Sequence, residues 1–352
     1  MAPAKRKRTA EERRQDLLMS VRDLAFAAVA VAVIIGGIWA YAGVWPPMVV
    51  VESGSMMHEK DASALGVIDT GDLTLVKSVG SASEIRTYMQ GQADGYKTYG
   101  NFGDVVIYAK NCDFSQTPII HRAITRMVLN ASRVSFDFPE LAPPVWDARA
   151  GDTVTLTVWT YHVNGPVGQE MQVSVSVGAI LSNMGSPPHG GFLTKGDNNG
   201  GIDQLSLSYA PGHGFVEPVE EDCVLGVARG ELPWFGVIKL WAGGSGDSPP
   251  QNSVTSLIIA LIAIVTVPFA LEVAWDRFGD RVKSRVPERW RHAWHRLFDR
   301  LPGGKRRAHE RAEREQELAA RRAREERRKR GRRRGRDDEG DGGRGGDDGR
   351  WT

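Results

Sequence analysis

A serine hydroxyl is a weak nucleophile unless a base lies within hydrogen-bond reach, and an acid that orients the base completes the arrangement. Three stretches of this 352-residue chain carry groups of those types. Val51-Glu-Ser-Gly-Ser-Met-Met57 places Ser53 and Ser55 on either side of a glycine, a pattern that suits an exposed nucleophile and equally an ordinary turn. Pro118-Ile-Ile-His-Arg-Ala-Ile124 sets His121 inside an apolar run that reads as a buried strand. Its ring is then either a base or a satisfied core histidine. Thr194-Lys-Gly-Asp-Asn-Asn-Gly-Gly-Ile-Asp203 separates Asp197 and Asp203 by Asn and Gly residues that permit a tight loop, and either carboxylate could orient a histidine.

Competing chemistries are weaker. Lys77 and Lys195 could serve as bases only after strong desolvation, whereas histidine titrates near neutrality without it. His58 lies three residues from Ser55; His162, His189 and His213 sit in hairpin or Gly/Pro-rich surroundings; His292, His295 and His309 fall in a C-terminal tail. The Asp/Asn/Gly loop lacks the alternate ligands and distal Glu of an EF-hand, and no CxxC spacing is present. No metal or cofactor is expected. Cys112 and Cys223 are compatible with a disulfide or with two buried thiols.

The elements that must position these groups begin at a membrane. Residues 1–23 are basic, and Leu24–Val44 follows with 21 uncharged residues, long enough to cross the hydrocarbon as a helix. The length of the run and the Trp45-Pro-Pro47 that closes it favour an uncleaved anchor over a secretory signal. A second uncharged run, 253–271, precedes Arg277, Arg281, Lys283 and Arg285. Both charge flanks put the termini in the cytoplasm and the middle outside a plasma membrane. That middle is acidic: residues 45–253 hold 22 Asp/Glu against 12 Lys/Arg, a net of −10, within a chain of net charge +2.

Residues 45–241 read as one mainly β, antiparallel domain, with 242–252 as a linker. Short Val/Ile/Leu runs over 67–76 and 104–108 contain or follow Gly-Asp turns. Thr153–Trp159 and Met171–Val177 alternate apolar with polar residues around Asn164-Gly-Pro166, predicting a hairpin inserted at about 150–180. Beyond the second anchor, Trp290, Trp294, Leu297 and Leu301 recur at helical spacing among basic residues, as in a helix lying on an anionic leaflet. The charged remainder of 272–352 cannot bury a core. Its interspersed Glu and Asp favour a solvated helix and disorder over a nucleic-acid-binding tail.

Ser-Gly-Ser-Met after a membrane anchor, then Gly-Asp-Val-Val, Ile-His-Arg, Lys-Gly-Asp-Asn-Asn with an Asp six beyond the first, and Gly226-Val-Ala-Arg-Gly-Glu-Leu-Pro-Trp-Phe-Gly236 resemble, in order, the blocks of type I signal peptidases. The resemblance is to the archaeal and endoplasmic-reticulum branch, in which His replaces the bacterial Lys, and it runs from about Val49 to Ile238. It implies a signal-peptidase-like domain with Ser55 as nucleophile and His121 as general base. Asp203 would orient His121, with Asp197 supporting the loop or sharing that duty. The Ser55 N–H and the Ser53 hydroxyl would donate to the oxyanion. The implied partners are secretory preproteins cut after small residues (A-x-A type), membrane lipid and the protein-export machinery. The chain departs from the family pattern at His58-Glu59, where Pro usually follows Ser-Met, and in the long stretch 128–191. The alternatives are another membrane Ser-His protease with regulatory substrates, or a two-span scaffold without enzymatic activity.

Overall fold

The computed structural model describes residues 10–283, except 61, 64, 162–167, 186, 207–214 and 245, together with 316 and 320. In chain order the elements are α1 (Ala10–Ala42), β1 (Met48–Val50), β2 (Leu73–Lys77), α2 (Tyr88–Asp94), β3 (Lys97–Thr98), β4 (Asn101–Phe102), β5 (Val105–Tyr108), β6 (Ile119–Asn130), β7 (Ser135–Phe138), β8 (Val145–Ala148), β9 (Thr153–Thr160), β10 (Gln169–Ser176), α3 (Val177–Asn183), β11 (Gly191–Lys195), β12 (Val224–Leu232), α4 (Val237–Gly243) and α5 (Gln251–Lys283). They fall into two compact units, residues 34–271 and residues 1–33 with 272–352.

Two helical stretches, Leu17–Ala42 and Gln251–Leu271, are apolar and long enough to cross a membrane. At about 1.5 Å per residue the shorter spans roughly the 30 Å of a bilayer's hydrocarbon. Leu24 is 71% exposed, Val33 68% and Phe269 66%, which suits lipid as the surrounding solvent rather than water. The protein is therefore membrane-associated. The amphipathic pattern at 290–301 and nearly all of the charged tail lie outside the described residues.

Eight strands form one open sheet in the order β1-β2-β12-β5-β6-β7-β8, with β11 also paired to β6. Strand β6 is its centre: Arg122 pairs with Val105 of β5 and with Lys195 of β11, so one residue is flanked by strands on both sides. The inserted hairpin appears as β9–β10, a separate two-stranded sheet whose turn residues lie outside the described set. Its alternation has the expected consequence. Val154, Leu156, Val158, Val173 and Val175 sink into the largest core cluster beside Phe136, Phe138, Met127 and Leu193.

The expectation of a mainly β, signal-peptidase-like domain is corrected. Among the described residues the fold is mixed α/β, 37% helix and 28% strand, with open sheets that do not close into a barrel. Two 33-residue helices account for most of the helix. The remainder includes α2, α3 and α4, each of seven residues. Two turns are too few for helical periodicity to stand out in a sequence. Capping holds such short pieces instead: the Thr87 hydroxyl accepts from Gln90 N–H, and the Gln90 side chain answers to Thr87 N–H.

Cys112 and Cys223 form a disulfide across a sequence separation of 111, beside the Ala109 N–H to Cys223 carbonyl hydrogen bond at 2.9 Å. Closing a loop of that length restricts the unfolded chain and is worth ~2–4 kcal/mol. Replacing both cysteines with serine should lower the thermal unfolding midpoint in detergent by about 5–15 °C, and an unchanged midpoint would contradict this.

Candidate functional site

After β1 the chain leaves the sheet and makes a single 3-10 turn over Gly54–Met56. Val51 and Met56 explain its shape. Both are buried in a cluster with Ile68, Val76, Val105 and Ile107, which pins the turn at its two ends. Ser53 and Ser55 are left at the surface of a groove of about 1300 Å³ that also reaches Ile119–His121, Asn198 and Asp247–Gln251. The two hydroxyls lie 3.1 Å apart.

His121 reaches this turn from β6. Its Nε2 is 2.8 Å from Ser55 Oγ, and its Nδ1 is 2.6 Å from Asp203 Oδ2. A carboxylate can only accept, so Nδ1 carries the proton and Nε2 presents a lone pair to the serine hydroxyl. The serine therefore donates to the imidazole, the polarity that proton removal requires. Asp203 is fully buried, and its Oδ2 also accepts from Thr194 Oγ1 at 2.7 Å and Tyr108 O–H at 3.0 Å. Those donors come from β11 and β5, the strands on either side of β6. The sheet itself thus fixes the aspartate, the aspartate fixes the ring, and the ring fixes the serine.

Asp197 has a different task. Arg122 grips it bidentately, Nε to Oδ1 and Nη2 to Oδ2, both at 2.7 Å. His58 Nε2 donates to Oδ2 at 2.9 Å. Burial alone would raise this carboxyl; the Arg122 charge and hydrogen bonds, with His58, overcome it and hold the group well below the usual carboxylate range. The same loop touches the Ser55 turn directly. Asn198 donates its N–H to the Ser55 carbonyl at 2.9 Å and its side-chain amide to the Gly54 carbonyl at 3.0 Å. Gly196 makes that approach possible, because a Cβ there would stand 2.6 Å from the Ser55 carbonyl oxygen.

Of the residues singled out from the sequence, Ser55, His121 and Asp203 are joined in series, and Ser53 adjoins Ser55. Asp197 does not share the orienting duty; its oxygens are taken by Arg122 and His58. Of the lysines, Lys77 donates to the Tyr41 carbonyl at 2.6 Å, and Lys195 to the Gly196 carbonyl at 3.0 Å. The base hydrogen-bonded to Ser55 Oγ is His121. Tyr108, Thr194, Arg122 and Asn198 escaped the sequence reading. Arg122 was the legible one, a charged residue in the middle of an apolar strand segment. Among the described residues the metal-ligand grouping Cys112, Glu220 and Cys223 has both sulfurs committed to the disulfide. A scan against protein-family models and a search of curated proteins find no match to this chain.

Burial pushes the Lys195 ammonium down to about 8, with Asp197 and Asp203 opposing that shift and Arg122 adding to it. Because the folded value lies below the unfolded one, the unfolded chain holds more protons between the two, and stability gained from this site rises with pH. Wild type should gain stability relative to Lys195→Met as pH climbs from about 8 to 10. A pH-independent difference in urea midpoints would contradict it.

Proposed function

We propose that this protein is a membrane-anchored serine endopeptidase that removes N-terminal signal peptides from exported preproteins. The observation that carries the proposal is the hydrogen-bonded series Ser55–His121–Asp203 at the edge of an open groove. Ser55 Oγ attacks the carbonyl carbon of the scissile bond while its proton passes to His121 Nε2, and Asp203 stabilises the imidazolium. The tetrahedral intermediate collapses with cleavage of the C–N bond, and the Nε2 proton leaves on the new amine. A water, deprotonated by the same nitrogen, then adds to the Ser55 ester; the acyl C–O bond breaks, the Nε2 proton returns to Ser55 Oγ, and the acyl group leaves as a carboxylate. The Ser55 N–H and the Ser53 hydroxyl donate to the oxyanion, each such donor being worth ~3–4 kcal/mol.

The substrate class rests on placement and on the motif order resembling type I signal peptidases. Ser55 lies 13 residues beyond the end of α1 at Ala42, so its groove can meet a bond emerging at the outer membrane surface. The basic flanks of 1–23 and 277–285 support two spans with both termini in the cytoplasm of a plasma-membrane protein. The disulfide agrees with an oxidising, extracytoplasmic site for the acidic domain. An extended preprotein segment would add along the groove, with small side chains at the cleavage site. Partners are the preproteins, membrane lipid and the export machinery.

Membranes carrying wild type should cleave a preprotein with an Ala-x-Ala site. Ser55→Ala and His121→Ala should lose activity by at least about 10⁴-fold, and Asp203→Asn by a similar factor through the wrong tautomer. Asp197→Asn should leave the His121 pairing in place and lose less. Undiminished cleavage by Ser55→Ala would overturn the mechanism. Absence of cleavage by wild type would favour a regulatory protease with other substrates or a scaffold.

A further inference from the structure

The resemblance to type I signal peptidases breaks at His58-Glu59 and in the long stretch 128–191, which carries the hairpin β9–β10. In the structure these two departures meet. The His58 ring stacks on Tyr161, the residue that follows β9, with ring centroids 3.5 Å apart and planes within 7°. The contact is buried on the histidine side, where His58 is 8% exposed. Tyr161 is held at both its ends: its N–H donates to the Asp197 carbonyl at 2.8 Å and its hydroxyl to the Gly100 carbonyl at 3.3 Å. Gly100 in turn makes room for the histidine, since a Cβ on it would lie 3.0 Å from His58 Cε1. The edge of the same imidazole donates from Nε2 to Asp197 Oδ2.

His58 directly follows Met57, the residue that caps the 3-10 turn begun at Ser53, and is the next residue but two after Ser55. Its ring is therefore clamped between the Asp197 carboxylate at one edge and the hairpin tyrosine on one face. The hairpin cannot shift without dragging its own core, because Val154, Leu156 and Val158 of β9 are buried among the phenylalanines of β7. A rigid, deeply packed insertion is thus coupled through one aromatic stack to the loop that carries Ser55.

We infer that His58 and Tyr161 are positioning residues that fix the attack geometry of Ser55, and that this is the role of the inserted hairpin. The inference rests on Ser55 being a nucleophile but not on the identity of its substrate. Displacing a reacting atom by about 1 Å can cost 10²-fold in rate, so loss of the clamp should appear in the chemical step rather than in binding.

The test is the rate at which a fluorophosphonate labels Ser55 in detergent-solubilised full-length protein, resolved into kinact and KI, with thermal midpoints measured in parallel. Tyr161→Ala and His58→Ala should each lower kinact about tenfold or more with KI changed less than about twofold. The double variant should be no slower than the slower single one by more than about twofold, because both remove one coupling. Tyr161→Phe keeps the stack and should label within about twofold of wild type. His58→Phe keeps the stack, loses the Asp197 bond and should label slowly. Wild-type kinact in Tyr161→Ala or in His58→Phe would overturn the inference. So would slow labelling in Tyr161→Phe equal to that of Tyr161→Ala, since the hydroxyl and not the stack would then matter. Failure of wild type to label, or labelling of Ser55→Ala, would instead overturn the reading of Ser55 itself.

Discussion

Arg122 is entirely buried, and everything near the site is built to make that tolerable. A guanidinium inside a protein must have its charge matched and its N–H groups occupied. Asp197 supplies the charge through two parallel hydrogen bonds, and the carbonyls of Thr98, Asn101, Phe102 and Gly103 surround Nη1. Removing one partner of such a pair leaves an uncompensated buried charge and costs ~3–5 kcal/mol. The pair therefore fixes three things together: the centre of the sheet, the 97–103 loop and the loop that ends at Asp203. His121 adjoins Arg122 on the same strand and inherits its rigidity. Neighbours on a strand face opposite ways, so Arg122 turns to Asp197 while His121 turns to Ser55 and Asp203.

Two carboxylates six residues apart have in this way acquired different tasks from their surroundings. Asp203 faces neutral donors, Tyr108 and Thr194, and a histidine whose Nδ1 proton it accepts. Asp197 faces a permanent cation. The Asp197 charge is matched by Arg122, whereas Asp203 is held by two hydroxyls and the His121 ring. The division follows from the partners and not from the carboxylates.

The grouping of Ser55, His121 and Asp203 was legible in the sequence, because each sits in a short stretch that sets a hydroxyl, an imidazole or a carboxylate apart from its neighbours. The choice between Asp197 and Asp203 was not legible, since it depends on which strand each loop crosses. The hairpin was read correctly from its alternation over Thr153–Trp159. Its contact with the Ser55 turn was hidden, because Tyr161 meets His58 across about a hundred residues of chain. The Gly-Asp pairs were read as simple turns, but their aspartates are buried acceptors. Asp72 takes the N–H groups of Asp69 and Trp234, and burial raises it to about 7. Asp104 binds Arg229 and the Tyr96 hydroxyl. Fold class was misjudged because most of the helix lies in the two 33-residue helices that flank the strands, and the seven-residue helices among the strands leave almost no periodic trace.

If the relay performs nucleophilic catalysis, the acyl half of the substrate must be joined to Ser55 for part of each turnover. Acid-quenching the protein during cleavage of an Ala-x-Ala preprotein, followed by digestion and mass spectrometry, measures this directly. The expected species is an ester between the signal-peptide carboxyl and Ser55, in the peptide that carries Ser53 and Met56. An ester on any other residue, or full turnover with the quenched Ser55 peptide always unmodified, would contradict it.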